Sequence, residues 1–151
     1  MPTTHHDAAR TPTRLEGRAT WLISRAHARA SALLNAGFET QGSGLRSYHY
    51  RLLAALEEWG PTSQADLSRT TGIDRSDVTA ALAELESHKL VKRSVDPDHK
   101  RRKIVKITTA GVDRLLELDE VIDGIQGELL APLTATQRRQ LISLLSRLTQ
   151  A

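Results

Sequence analysis

The sequence predicts a mainly α-helical chain with a small β-wing: a winged helix-turn-helix head flanked by N- and C-terminal helices that build a dimerisation lobe. Three observations carry that prediction. Two short helices, each with its own capping residue, are separated by the turn Thr71-Gly72. An Asp96-Pro97 turn follows, then a cationic tip, Lys100-Arg101-Arg102-Lys103, then the alternating strand Ile104-Val105-Lys106-Ile107. Long helices with apolar stripes stand at both ends, and they are more apolar than a small three-helix head needs.

Residues 1–12, with Thr, His, Pro and Asp, read as a disordered lead, and His5-His6-Asp7 as a solvated stretch of it or a loose metal clasp. Thr13 to Ala36 reads as one long helix with Leu15, Ala19, Leu22, Ala26, Ala30 and Leu33 on a stripe, and with Gly37 as its C′ residue. The turn Gln41-Gly42-Ser43-Gly44 leads into a second helix, Leu45 to Glu58, whose inward residues are Leu45, Leu52, Leu53 and Leu56; Gly60-Pro61 ends it. Ser63 then caps a short helix, with acidic Asp66 at the third position. Asp74 caps the next, Arg75 to Ser87, which buries Val78, Ala81, Leu82 and Leu85 at i, i+3, i+4 and i+7. Leu90-Val91 opens the wing and Ile104–Thr108 returns it. Thr108 caps a long helix from Ala110 to Leu130, striped by Leu115, Leu118, Ile122, Ile125 and Leu129 and stopped by Pro132. Thr134 to Gln137 is a capping box for a last helix, whose apolar face is Leu141, Leu144, Leu145 and Leu148. The head therefore spans 45–109, and segments 13–44 and 110–151 form the helical dimerisation region of a single domain.

Charge is concentrated in the wing. From Lys92 to Lys106 there are seven Lys/Arg against two Asp/Glu, a net of +5 in a chain whose total is +3, so the remainder is −2. Positive potential that local suits phosphate. Composition excludes other classes. The chain has no cysteine, hence no disulfide, thiolate zinc site or thiol redox centre. It carries no acidic pair, nucleophile elbow or Gly-rich phosphate loop, so it is not expected to be an enzyme, and no cofactor or metal is expected. No apolar run could span a bilayer and no apolar signal segment opens the sequence, so a cytoplasmic protein is expected.

On the Arg75–Ser87 helix the outward positions are small, which lets such a helix sink into a major groove. Ser76 and Thr79 can reach base edges or phosphates, Ala80 a thymine methyl, and Arg75 a guanine or phosphate; Asp77 accepts from a cytosine amine or stays solvated. Gln64 and Ser68 on the preceding helix are candidate phosphate contacts. In the wing, Lys100, Arg101, Arg102 and Lys103 are the candidates, because an Arg at a hairpin tip can enter a narrow minor groove. The expected partner is double-stranded DNA. The alternatives are a winged-helix interaction module that grips an acidic partner, and a constitutive DNA binder of low specificity.

Taken together, Gln64-Ala65-Asp66-Leu67-Ser68, Gly72-Ile73-Asp74-Arg75-Ser76, Val78-Thr79, Leu85, Leu90-Val91-Lys92-Arg93, the Asp96-Pro97 turn and the Ile107-Thr108-Thr109-Ala110-Gly111 junction resemble the MarR family of bacterial winged helix-turn-helix regulators over roughly residues 20–149. The resemblance implies a homodimer whose terminal helices make the dimer lobe and whose two heads read a pseudo-palindromic inverted repeat, acting as a repressor. It departs from the family at one place. The family wing reads Asp-Arg-Arg after the turn, and here the triplet is His99-Lys100-Arg101. Arg101 then takes the minor-groove position without its acid, Asp96 or Asp98 could substitute, and wing order could depend on the charge of His99. Family members also bind small aromatic anions between lobe and head. Arg14, Arg18, Trp21 and Arg25, on one face of the first helix, and His49, on the inward side of the second, are the candidates for such a ligand; the alternatives are cation–π stacking of the arginines on Trp21 and a core role for His49.

Overall fold

The computed structural model describes residues 10–150; the His5-His6-Asp7 segment and most of the expected disordered lead lie outside them. The described residues form seven helices and one small sheet: α1 (Thr13–Glu16), α2 (Ala19–Gln41), α3 (Ser47–Trp59), β1 (Thr62–Ser63), α4 (Gln64–Thr71), α5 (Arg75–Ser87), β2 (Val91–Asp96), β3 (His99–Ile107), α6 (Thr109–Leu129) and α7 (Ala135–Thr149). The mainly helical fold with a β-wing is therefore observed. The sheet is antiparallel in the order β1-β3-β2.

The head closes around one apolar cluster. Leu52, Leu53 and Leu56 of α3, Leu67 of α4, Val78, Ala81, Leu82 and Leu85 of α5, and Val91 and Val105 of the wing are all buried. Each large aliphatic side chain contributes about 1.5–3 kcal/mol by leaving water. The helix starts are fixed by side-chain oxygens: Ser63 accepts from the Asp66 amide, Asp74 from Arg75, Thr108 from Gly111 and Thr134 from Gln137. Gly72 sits in the left-handed region at φ 69°, which lets the chain turn sharply from α4 towards α5. The same cluster continues into the lobe through Phe38 of α2 and Leu118 and Ile125 of α6.

Four details differ from the sequence reading. The first helix is broken: α1 ends at Gly17, Arg18 is extended, and α2 begins at Ala19. Arg14 and Arg18 therefore do not continue the helical face that holds Trp21 and Arg25. Second, α2 runs through Gly37 to Gln41 and is capped at Gly42. Gly37 is a packing position, because a Cβ there would lie 2.6 Å from Ile125 Cδ1 on α6. Third, β1 was not foreseen; its two residues pair with Ile104 and Val105. Fourth, β3 starts at His99, so Lys100–Lys103 belong to a strand and not to a loose tip.

Candidate nucleic-acid interface

The N-terminal ends of α4 and α5 and the wing enclose a groove of about 440 Å³ lined by Gln64, Ala65, Arg75, Thr79, Arg93, His99, Arg101, Arg102 and Lys103. Five cations and no carboxylate form its walls. Six of the expected residues meet there: Gln64, Arg75, Thr79, Arg101, Arg102 and Lys103. Arg93 and His99 belong with them and were not foreseen as site residues. Lys100 is exposed on β3 outside the groove walls. Ser76 is exposed at the start of α5, its hydroxyl 3.4 Å from Asp74 Oδ2.

Several of these side chains are held by the protein itself. Gln64 Nε2 donates to Thr79 Oγ1 (2.9 Å), and Thr79 donates to the Arg75 carbonyl, so α4 and α5 are bolted across the turn. Arg93 donates from both its backbone and its guanidinium to Glu86, each at 3.1 Å. Those two bonds hold the Glu86 carboxyl below its usual range. Ser68 corrects the sequence reading: it is half-buried and donates to the Ile73 carbonyl (2.9 Å), so it locks the turn and is not turned towards phosphate.

The wing has an acidic anchor after all, and neither Asp96 nor Asp98 supplies it to the arginines. Asp98 N–H donates to Asp96 Oδ1, which closes the hairpin turn. Arg102 donates to Ser63 Oγ (2.9 Å) and to Asp66 Oδ2 (3.0 Å), and Arg69 pairs with the other Asp66 oxygen. The α4 N-terminus thus fixes β3 one residue beyond the expected position. Arg102 is committed to the protein and Arg93 to Glu86, so Arg101 and Lys103 are the wing cations lining the groove that make no ion pair among the described residues.

Asp77 and Ala80 leave the groove. They line a second cavity of about 500 Å³ on the opposite flank of α5, with Tyr48 and Arg51 of α3 and Gly72, Ile73 and Asp74 of the turn. His49 is a core residue, one of the two roles that its inward position on the second helix allows. It is fully buried, its Nδ1 accepts from the Arg46 amide (2.8 Å), and its Nε2 lies 2.9 Å from Glu84 on α5 in a close but poorly aligned contact. Neither that cavity nor the lobe–head cleft described below has Arg18, Trp21 or Arg25 in its wall. The guanidinium of Arg25 instead lies 5.8 Å from the Trp21 ring centroid, a cation–π pair on the α2 surface.

Burial pushes the His49 imidazole below its ordinary range, and the Glu84 carboxylate only partly opposes that. The unfolded chain therefore takes up a proton near pH 6.5 that the folded chain resists, so this part of the stability is present above about pH 6.5 and lost as pH falls. The melting temperature should drop between pH 7.5 and 5.5. A His49→Gln variant should be less stable at pH 7.5 yet show a flatter profile; parallel profiles would contradict this account.

A third concavity, of about 490 Å³, lies where α2, α3 and α6 meet. Leu34, Ile122, Ile125 and Leu129 make its apolar part; His27, Ser31, Ser47, Tyr50, Arg51 and Gln126 add polar groups. The Tyr50 hydroxyl donates to Asp119 on α6 at 2.6 Å, which, with burial, pushes its pKa up to about 12. That bond is a strut between head and lobe. Among the described residues no cluster of His, Asp or Glu could hold a metal ion, and no helix is long and apolar enough to cross a membrane.

Comparison with known proteins agrees with this geometry. The family model described as MarR family matches residues 43–102. The HTH-type regulator YdgJ of Bacillus subtilis is 32% identical over 106 residues, 70% of this chain and 65% of that protein, so the chain spans just under two thirds of that relative's length. The transcriptional repressor NicR of Pseudomonas putida is 29% identical over 84% of this chain and 79% of its own. Among solved structures, a probable transcriptional regulator from Pseudomonas aeruginosa is 32% identical and superposes with a TM-score of 0.78 over 89% of this chain and 99% of that one. BpsR of Bordetella bronchiseptica, whose DNA binding is regulated by 6-hydroxynicotinic acid, is 26% identical with a TM-score of 0.73 over 85% and 96% of the two chains. These relatives are regulators, not enzymes. The chain belongs to the MarR family of winged helix-turn-helix transcriptional regulators.

Proposed function

We propose that the protein is a homodimeric transcriptional repressor that binds a pseudo-palindromic operator and is released by a small aromatic anion. The observation that carries the reading is the carboxylate-free groove between α5 and the wing, where Arg75, Thr79, Arg101 and Lys103 converge. In this reading the first turn of α5, with Arg75, Ser76 and Thr79, addresses a major groove. Arg101 and Lys103 follow the backbone into the adjacent minor groove. Arg102 acts one step back, by holding the wing on Asp66.

Dimerisation is supported by the apolar surface that a single chain leaves bare. Helix α7 contributes no buried residue, and Ile142, Leu144 and Leu148 are more than half exposed, as is Leu22 of α2. A patch of that kind on a regulator with a two-fold target is best met by a second copy. The effector is assigned to the α2–α3–α6 cleft, whose apolar floor and polar rim suit a flat ring with a charged or hydroxyl edge. Regulation of BpsR by 6-hydroxynicotinic acid and the repressor activity of NicR support release and repression, respectively.

Selection of bound fragments from random duplex DNA tests the function. An inverted repeat with half-site centres about 34–36 Å apart should emerge. Arg101→Ala should then weaken binding by about 1–3 kcal/mol. Enrichment without symmetry would leave a low-specificity DNA binder. No retention of duplex, with capture of acidic proteins instead, would leave an interaction module.

A further inference from the structure

The wing root carries a second cationic hollow, which shares no residue with the operator groove. It holds about 500 Å³ and opens where the end of α5, both long wing strands and the start of α6 meet. Lys89, Lys92 and Lys106 line it, with Thr108 and Thr109 between them and no carboxylate in its wall. None of the three lysines has an ion pair among the described residues. Lys92 and Arg93 are successive on β2, so they face opposite sides of the sheet; Arg93 lines the groove and Lys92 the hollow. All three lysines stand at positions that disfavour them. Lys89 has φ 60°, the left-handed region where a helix end ordinarily has glycine. Lys92 and Lys106 are direct cross-strand partners, and like charges placed opposite each other push the strands apart. The Thr108 hydroxyl donates to the Lys89 carbonyl (2.8 Å) and accepts from the Gly111 amide (3.0 Å), which holds Lys89 beside the start of α6.

We propose that the wing root is a binding site for a small phosphorylated molecule, whose phosphoryl oxygens bridge Lys89, Lys92 and Lys106. The charge calls for an anion with more than one negative charge, because three ammonium groups from three segments of the chain converge with nothing acidic to offset them. Residue type narrows the anion. The planar fork of arginine matches planar carboxylates, and the hollow has no arginine; lysine is a compact point charge that suits a tetrahedral phosphate. Place separates the site from the operator. Lys106 lies five residues along β3 from Arg101, roughly 16 Å at strand rise, and on the opposite face, so a duplex seated in the groove leaves it uncovered. A bridging phosphate relieves the repulsion between β2 and β3 and ties both strands to the end of α5. Binding therefore stabilises the wing that carries Arg101 and Lys103.

Titration calorimetry of the full chain with pyrophosphate, at fixed ionic strength and without DNA, tests the assignment. One pyrophosphate per chain should bind, and Lys92→Gln with Lys106→Gln should weaken binding about tenfold or more. Without ligand the double variant should melt higher than the wild type, because the cross-strand repulsion is gone. It should also lose the rise in melting temperature that pyrophosphate gives the wild type. Lys89→Gly relieves the strained backbone and should keep the fold while binding pyrophosphate more weakly. Arg101→Ala, in the groove, should bind pyrophosphate as the wild type does. Citrate should bind about tenfold more weakly than pyrophosphate. The proposal is overturned if the wild type takes up no pyrophosphate at millimolar concentration, or if the lysine variants bind it within about twofold of the wild type. Loss of binding in Arg101→Ala alone would place the anion in the operator groove, and equal binding of citrate would reduce the hollow to general anion attraction; either result overturns it. Weakened operator binding in the lysine variants, with no pyrophosphate bound, would assign the trio to flanking DNA instead. None of these outcomes touches the operator reading, which the fragment selection tests separately.

Discussion

Replacing Leu144 and Leu148 together by glutamate will leave a folded head that no longer holds an inverted repeat. Both leucines are largely exposed in the single chain, at 58% and 61%. Because α7 adds nothing to the buried core of the protomer, the substitutions should change its own stability by no more than about 0.5 kcal/mol. In a dimer lobe the same positions would place two carboxylates per chain in an apolar seam, at a cost of several kcal/mol per unpaired buried charge. The chain should sediment as a monomer. A monomer holds one half-site, and loss of the tethered second contact lowers operator affinity about 100-fold or more. Sedimentation velocity and operator titration check this together. A variant that stays dimeric, or a monomer that binds the operator as tightly as the wild type, would remove α7 from the interface.

The second large effect is expected at Gly111. It is the third residue of α6, where its amide donates to the capping hydroxyl of Thr108 (3.0 Å). A Cβ at this position would lie 2.2 Å from the Leu90 carbonyl oxygen and 2.7 Å from Ile107 Cγ1. The Leu90 carbonyl in turn accepts from Thr108 N–H (3.0 Å), so helix start and wing base are knotted at one point. Gly111→Ala cannot be relieved by a rotamer change, because the first obstacle is backbone. The helix-propensity gain of about 1 kcal/mol is smaller than the overpacking cost of about 3 kcal/mol expected where two backbones must part. Denaturant unfolding should show a net loss of about 2 kcal/mol or more, with operator affinity reduced because the wing root moves. Wild-type stability in Gly111→Ala would mean that the α6–wing junction is looser than its geometry.

Much of this fold was legible because its signals are local. Ser63, Asp74, Thr108 and Thr134 announce helix starts within three residues of the amides they cap. The Val78, Ala81, Leu82, Leu85 face follows from helical periodicity alone. What escaped depends on partners distant in sequence. Gly37 looked like a stop signal because its reason for being small, Ile125, lies on another helix. Two residues of β1 are too few to show alternation. The site was legible in residue type and less so in commitment. Arg101 and Arg102 look equivalent in sequence, yet Arg102 meets Asp66 across 36 positions. His49 met the expectation of an inward histidine, but its partner Glu84 lies on α5.

The asymmetry of the wing sheet has a consequence for solubility. The two residues of β1 cover β3 at Ile104 and Val105 and leave His99–Lys103 without a neighbour on that edge. A bare strand edge invites a like strand from another molecule, the first step of aggregation. Here the bare stretch carries four Lys/Arg in five residues, and two such edges repel each other. The cations that address phosphate also act as gatekeepers against self-stacking. Neutralising them to weaken DNA binding should therefore make the protein prone to precipitate at low ionic strength, and polyanions should keep it dispersed.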